Sequence, residues 1–333
     1  MNSLERYSGM LKGRAVDLVP RTPILMQFAA ESIGSNYGAF ASDYRVLVEA
    51  NLHCAEVFGM DQLSTISDPY RETEGFGARI IFERDSVLRC ERHPLEERRD
   101  FAALPRPDPL RSARMLDRVN AVRAYKSRIS GRLSILGWIE GPAAEAADLR
   151  NVMNFLTDLM DDEGYSGALM DRCLEAAIRF AQAQAEAGAD TIGIGDAIAS
   201  QVSPSLYERL IQPREKLLVA AVQKMGAFVR LHICGNITHL LPGIADLGVD
   251  VLDVDHMVDM QLVRRAAGAR VALAGNINPL TVRHRGPEEI ASAMRRTYEA
   301  VGNPYLVNAG CEIPPGTPRE NLLALCTMLP YRR

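Results

Sequence analysis

Eight short apolar runs, most of them separated by longer helical stretches, are the feature that most constrains the fold of this chain. They cover residues 22–28, 61–67, 133–141, 190–196, 228–235, 249–255, 270–277 and 304–311. Strands that alternate with helices are typical of βα units around a parallel sheet. Eight such strands, with no G-x-G-x-x-G after the first, favour a closed barrel over an open dinucleotide-binding sheet. We therefore predict an α/β fold, a (β/α)8 TIM barrel that forms a single domain over residues 1–333.

Two segments depart from this alternation. The residues before the first run are predicted to form an N-terminal helical extension. The stretch from Ile80 to about Ser130 is charged, contains several prolines and shows little periodicity, as in HPLEERRD and LPRPDP. Such a stretch predicts an insertion between the second and third strands.

Charge and composition exclude several classes of protein. The chain has 47% hydrophobic and 24% charged residues and a formal charge of −4, so it lacks the basic surplus that a nucleic-acid partner requires. The first residues lack the apolar core of a signal peptide, and no later run is long enough to span a bilayer. We expect a cytoplasmic protein whose six cysteines remain thiols, available as metal ligands or nucleophiles.

Polar residues end most of the later apolar runs. In a β/α barrel the carboxyl ends of the strands line the mouth at which chemistry takes place. The residues at these ends are Glu140, Asp196, His232, Cys234, Asp253, Asp255, Asn276, Asn278, Cys311 and Glu312.

Three of these residues form a candidate metal site. His232 and Cys234 are two apart on a strand, so both side chains point to the same side, and Cys311 ends the last strand. One imidazole and two thiolates suit zinc, and three protein ligands leave a fourth position open. The alternative is that His232 is a hydrogen-bonded core histidine and Cys234 a buried apolar cysteine.

Several motifs carry a resemblance to a known family. They are R-Y-x-x-M-L-K-G-R-A-V-D-L-V-P (6–20), IEGP (139–142), GDAIASQVSPSLYERLIQP (195–213), HICGNI (232–237), AGNINP (274–279) and NAGCEIPPGTP (308–318). With these motifs the chain resembles the uroporphyrinogen decarboxylase superfamily. Within it, the chain is similar to the corrinoid-dependent methyltransferases typified by the methylcobalamin:coenzyme M methyltransferases.

The resemblance implies a zinc methyltransferase. The His-x-Cys and distant Cys pattern of those enzymes maps onto His232, Cys234 and Cys311. Zinc would bind a small acceptor thiol, lower its pKa and present the thiolate to the methyl group of methylcobalamin, a corrinoid carried on a partner protein. The chain contains no D-x-H-x-x-G segment for binding the corrinoid itself, which fits such an arrangement. The oligomeric state is left open between monomer and homodimer.

Five further residues receive candidate roles. Glu140 and Asp196 are candidate catalytic residues. Glu140 is a fourth zinc ligand or an outer-sphere group, while Asp196 orients a ligand or caps a helix. Asn236, Asn276 and Asp255 are candidate cofactor-binding residues, although turn chemistry alone also explains Asn after Gly.

Other functions remain open. The acceptor is a thiol or a pterin such as tetrahydrofolate. A decarboxylase of the parent type would use Asp68, but the segment ILMQFAAESIGSNY has no arginine to hold a polycarboxylate. A non-catalytic zinc or tetrapyrrole binder is the third alternative. The charged segment that contains Asp68, Arg71, Glu72 and Glu74 either selects the substrate or forms a solvated loop.

Overall fold

Seven parallel strands form one curled sheet in the computed structural model, which describes residues 1–97 and 100–332. Including a separate two-stranded hairpin, the strands of the described residues are β1 Gln62–Ser64, β2 Arg79–Ile81, β3 Arg89–Arg92, β4 Ser134–Glu140, β5 Thr191–Gly195, β6 Phe228–Ile233, β7 Val251–Val254, β8 Ala272–Gly275 and β9 Tyr305–Leu306. The sheet runs β1-β4-β5-β6-β7-β8-β9, so its order follows the chain, while β2 and β3 form a separate antiparallel hairpin. Strand β4 is buried along its whole length, as expected when helices cover a parallel sheet.

The eighth position of the barrel is filled by an extended segment. The N–H of Thr22 donates to the carbonyl of Val307 beyond β9, and the N–H of Asp61 before β1 donates to the carbonyl of Arg21, both at 2.8 Å. The first predicted strand thus closes the ring but forms only an isolated parallel bridge, between Arg21 and Val307. Pro23 explains the short ladder, because proline has no N–H to donate.

Helices cover the outside of the sheet. They are α1 Ser3–Leu11, α2 Gln27–Ser32, α3 Tyr37–Ser42, α4 Tyr44–Phe58, α5 Arg71–Gly75, α6 Ala113–Ile129, α7 Pro142–Arg150, α8 Val152–Asp161, α9 Glu163–Ala187, α10 Pro204–Leu206, α11 Gln212–Lys224, α12 Leu241–Ala245, α13 Met260–Ala267, α14 Pro279–His284, α15 Pro287–Val301 and α16 Arg319–Leu325. Short 3-10 turns occupy Phe101–Ala103, Ala197–Gln201 and Thr238–Leu240, and a π turn at Tyr207–Ile211 precedes α11. The longest helix, α9, begins after the capping side chain of Asp162 and ends at Gly188 in the left-handed region. Within residues 1–97 and 100–332, no helix combines the length and apolar character needed to cross a membrane.

The predicted N-terminal extension is the helix α1. The guanidinium of Arg6 donates to Asp61 at 2.5 Å, and the hydroxyl of Tyr7 lies 3.0 Å from that of Thr191, the first residue of β5. The helix α1 therefore packs against the amino ends of the strands, opposite the end where chemistry is expected.

The predicted insertion between the second and third strands is present, but it ends earlier than expected. It contains most of the β2–β3 hairpin, and the segment after β1 also includes α5, ahead of the predicted start at Ile80. Residues 113–129, by contrast, form the regular helix α6, which packs against α4, α5, α9 and β4. The sequence obscured this helix because its buried side includes Arg114 and Arg118 among apolar residues. Two charges on the inner side weaken the apolar periodicity by which a helix is recognised.

Candidate metal centre

Four neighbouring strands place one residue each at the same level of the sheet. The register pairs Glu140 of β4 with Gly195 of β5, Gly195 with His232 of β6, and His232 with Asp253 of β7. Each of these residues lies at or near the carboxyl end of its strand. The level therefore forms part of the barrel mouth.

The three predicted metal ligands converge at this level. The Nε2 atom of His232 lies 3.0 Å from the Sγ atom of Cys234, and the Sγ atoms of Cys234 and Cys311 are 3.9 Å apart. All three ligand atoms lie within 4.8 Å of one another, and both cysteines are free thiols. Two sulfurs that bind one tetrahedral zinc at ~2.3 Å stand about 3.8 Å apart, so the observed spacing fits that ion.

Cys311 reaches the site through an extension of the last strand. The N–H of Gly310 donates to the carbonyl of Ile277 at 2.8 Å, and Ile277 forms a parallel bridge with Ala309. These contacts continue the β8–β9 pairing beyond β9. They place the side chain of Cys311 next to that of Cys234, although 77 residues separate the two in sequence.

The two thiols differ in pKa. The hydrogen bond with Cys234, together with one from His232, lowers the pKa of Cys311 to about 4 despite its burial. The hydrogen bond with Cys311 and burial raise the pKa of Cys234. Without a metal, the thiolate of Cys311 accepts a hydrogen bond from the protonated thiol of Cys234. A bound cation is needed for both sulfurs to ionise.

A buried carboxylate orients the imidazole of His232. Its Nδ1 atom lies 3.5 Å from the Oδ2 atom of Asp253 and has no closer partner, while Nε2 points at the thiols. Asp253 is fixed in turn by Arg230 at 2.7 Å and by the side-chain amide of Asn308 at 2.8 Å. An imidazole with one nitrogen toward a carboxylate and the other toward soft ligands has the arrangement of a zinc-binding histidine.

The same neighbours set the pKa values of this pair. Burial lowers the pKa of His232, but the charge of Cys234 and the hydrogen bond with Asp253 outweigh it and raise the pKa well above its usual value. Burial likewise raises the pKa of Asp253, but Arg230 reverses this effect and holds the pKa below its usual range. Asp253 therefore stays ionised and available to His232.

A cavity of ≈160 Å³ opens beside the three ligands. It is lined by Ile24, Met26, Ile66, Asp68, Pro69, Trp138, Glu140, Gly195, Ala197, His232, Cys234, Cys311 and Glu312. We call His232, Cys234 and Cys311 the thiol wall of this cavity. We call Asp68 and Glu140, with the arginines that bind them, the carboxylate wall.

Glu140 lines the cavity but is bound to a residue that the sequence did not place there. Its Oε1 atom accepts from Arg71 at 2.6 Å and from the indole N–H of Trp138 at 3.3 Å. Arg71 is completely buried and lies at the start of α5, in the segment between β1 and the β2–β3 hairpin. The proposed role of Glu140 as a fourth ligand thus competes with an ion pair, and the sequence contains no local signal for this pairing.

The charged segment after β1 is not a solvated loop. Asp68, Arg71 and Glu72 are all buried, and only Glu74 is partly exposed. Both oxygens of Asp68 accept from Arg114 of α6, at 2.8 and 2.5 Å. Of the two alternatives for this segment, a solvated loop fits Glu74 alone, because the fold buries the other three charges and places Arg114 of α6 against Asp68.

Asp196 lies at the end of β5 and caps a helix. One oxygen accepts from the N–H of Ala144 at 2.7 Å and the other from the N–H of Ala143 at 3.3 Å, at the start of α7. A Cβ at Gly141 would lie 2.3 Å from this carboxylate, so the approach requires glycine there. Of the two alternatives for Asp196, the geometry favours helix capping, on the neighbouring helix α7.

The three candidate cofactor-binding residues hold the loops around the site. Asp255 accepts from the N–H of Gly235, directly after Cys234, and Asn276 donates to the carbonyl of Asp255 at 3.2 Å. Asn236 is exposed and accepts from the N–H of Thr238. Asp255 and Asn276 thereby support the loop that carries Cys234, whereas a cofactor-binding role for them remains a prediction.

Comparison with known proteins bears on this site. The sequence pattern of the family described as "Uroporphyrinogen decarboxylase (URO-D)" matches residues 2–329. A methylcobamide:CoM methyltransferase of Methanosarcina barkeri is 28% identical over 331 residues, which cover 96% of this chain and 95% of that relative. A uroporphyrinogen decarboxylase of Chloroflexus aggregans is 27% identical over 324 residues, which cover 91% of this chain and 90% of that relative. A solved structure of a methyltransferase from Methanosarcina mazei has a TM-score of 0.90 and 26% identity, with 98% of this chain and 97% of that chain covered.

Proposed function

The chain belongs to the uroporphyrinogen decarboxylase family, and within that family we propose that it is a zinc-dependent methyltransferase acting between a protein-bound corrinoid and a small thiol. Methyltransferases and decarboxylases of this family are both enzymes, and so is this chain. A cytoplasmic location and a separate corrinoid protein as partner belong to the same proposal.

The convergence of the thiol wall on the cavity is the observation that carries this proposal. His232, Cys234 and Cys311 offer a soft donor set with sulfur spacing that fits zinc, and they leave one side open to the cavity. When bound there, zinc supplies a Lewis acid that lowers the pKa of an acceptor thiol. The chain's own residues then orient the site, since Asp253 holds His232 and the Gly235 N–H bond to Asp255 holds the loop after Cys234.

The carboxylate wall argues against decarboxylation of a polycarboxylate. Asp68 has both oxygens bound by Arg114, so it is not free to pair with a cationic group of a substrate. Among the described residues that line the cavity there is also no arginine or lysine to hold several carboxylates.

The size of the cavity favours a short acceptor over a pterin. Pockets for drug-sized ligands measure ≈300–1,000 Å³, whereas this cavity measures ≈160 Å³. A thiol of a few heavy atoms fits within it. The proposed acceptor is therefore a small thiol.

The test is methyl transfer from free methylcobalamin to thiols by the purified protein. Zinc per chain is measured first, and loss of the methyl–cobalt absorbance is then followed with thiols, with tetrahydrofolate and without acceptor. We expect zinc-dependent demethylation with thiols, abolished by chelation and restored by added zinc. A metal-free preparation of full activity would overturn the proposal.

A further inference from the structure

The charges around the cavity are unevenly distributed. Three carboxylates line it, from Asp68, Glu140 and Glu312. No lysine or arginine lines it among residues 1–97 and 100–332. An anionic acceptor that enters the cavity therefore meets no basic side chain in the lining.

The guanidinium groups that contact the lining carboxylates Asp68 and Glu140 are already bound to them. Arg114 donates to both oxygens of Asp68, and Arg71 donates to Glu140 at 2.6 Å. The Nε and Nη1 atoms of Arg71 lack hydrogen bonds, but this side chain is completely buried and Nε lies 3.6 Å from Glu72. Each arginine faces two acidic groups, Glu72 and Glu140 for Arg71 and Asp68 and Glu74 for Arg114. Their positive charges are therefore already neutralised within the protein.

The remaining surfaces offer no positive charge either. Much of the rest of the lining is apolar, with Ile24, Ile66 and Trp138 among its members. In the thiol wall, the thiolates of Cys234 and Cys311 would together balance the charge of a divalent ion held there. An anionic group that leaves water for this cavity would lose its hydration without gaining a counter-charge, which is costly.

We propose that the acceptor is a short thiol whose tail carries no negative charge. This inference rests on the proposed function and narrows its substrate class. It separates the chain from the methylcobamide:CoM methyltransferases that it resembles, since coenzyme M is 2-mercaptoethanesulfonate, a thiol with an anionic tail. The carboxylates of the lining accommodate a neutral or cationic tail without a charge conflict.

Three thiols of equal chain length test this preference. The zinc-loaded protein is titrated with 2-mercaptoethanesulfonate, 2-mercaptoethanol and cysteamine, and both the dissociation constant and kcat/KM with methylcobalamin are measured. We expect 2-mercaptoethanol and cysteamine to exceed the sulfonate by roughly tenfold or more in kcat/KM, because the sulfonate would lose its hydration in the cavity without gaining a counter-charge. Weaker binding of the sulfonate in the titration should match this order.

A charge added at the rim sharpens the test. Ala197 is exposed and lines the cavity, so Ala197→Lys introduces a cation with room for its side chain. The variant should improve kcat/KM for the sulfonate several-fold relative to 2-mercaptoethanol, while Ala197→Met, of similar length and uncharged, should not change this ratio.

The outcomes separate the inference from the proposed function. Preference for 2-mercaptoethanesulfonate by the unmodified protein, in binding or in turnover, overturns the inference and leaves the methyltransferase proposal intact. If no thiol binds the zinc-loaded protein, both fail. If thiols bind in the expected order but none is methylated, the charge preference stands and the proposed function falls.

Discussion

The two walls of the cavity are built in opposite ways. The thiol wall consists of one imidazole and two thiols whose ligand atoms point at one another, while Asp253 faces only the far nitrogen of His232, so the ligand atoms are free for an ion. In the carboxylate wall, arginines already bind Asp68 and Glu140 within the protein. Of the two walls, only the thiol wall is therefore organised to bind a group that the chain itself does not supply. The carboxylate wall holds the fold around it.

Loss of one thiol should have the largest effect. Cys311→Ala removes one of three ligands, and we expect zinc affinity to fall by more than about 100-fold, beyond the range of outer-sphere substitutions. Zinc per chain after dialysis measures this, with Cys90→Ala in the β2–β3 hairpin as the control that should retain zinc. Tight stoichiometric zinc in Cys311→Ala would place the third ligand elsewhere.

Loss of one arginine should instead affect stability. Arg114→Ala leaves the buried carboxylate of Asp68 unpaired, which costs about 3–5 kcal/mol in the free energy of unfolding. On the same helix, Arg128→Ala breaks an exposed ion pair with Glu49 and should cost no more than about 1 kcal/mol. Urea unfolding measures both variants. Equal costs, or loss of zinc from folded Arg114→Ala, would remove the distinction between the walls.

The walls should also differ in their response to pH. The raised pKa values of His232 and Cys234 mean that both hold protons near pH 7, while Cys311 is ionised above its pKa of about 4. Zinc binding then releases about two protons, so affinity should rise up to about 100-fold per pH unit between pH 6 and 8. Calorimetry in buffers of different ionisation enthalpy counts the protons, and a count near zero would contradict the assignment.

The carboxylate wall provides the matching control for that experiment. Burial raises the pKa of Asp68, but Arg114 reverses this and lowers it below its usual value. A carboxyl with a lowered folded pKa stabilises the fold fully above its unfolded pKa of about 3.9, and this contribution is lost as the pH falls through the folded value. The contribution of the Asp68–Arg114 pair to the free energy of unfolding should therefore stay constant between pH 6 and 8.

The smallest of these effects concerns the orientation of His232. Asp253→Asn removes the negative charge that faces the Nδ1 atom of His232. We expect zinc affinity to fall by about 10–100-fold, although the three proposed ligands remain. Asp250→Asn is the control, because Asp250 accepts from the N–H of Val229 at the opposite end of the strands. Equal zinc affinity in the two variants would show that Asp253 does not act on the site.

The sequence determined where the polar strand ends lie. Strand direction and the alternation of side chains are local properties, so two ligands on one strand and one at the end of another could be placed at the same mouth. This is why the spacing indicated His232, Cys234 and Cys311 as candidate ligands, to which the family resemblance added the rest of the argument, and why Glu140 was expected beside them. The parallel sheet followed from the same alternation of strands and helices.

Only the tertiary structure decided the partners of the charged residues. Arg114 meets Asp68, 46 residues away in sequence, because α6 packs against α5, and Asp196 caps α7 because β5 lies beside β4. No local pattern fixes such pairs, since the choice of counter-charge depends on which elements fold against each other. The sequence therefore identified the groups that converge at the barrel mouth, whereas the fold decided which carboxylates are paired and what charges surround the cavity.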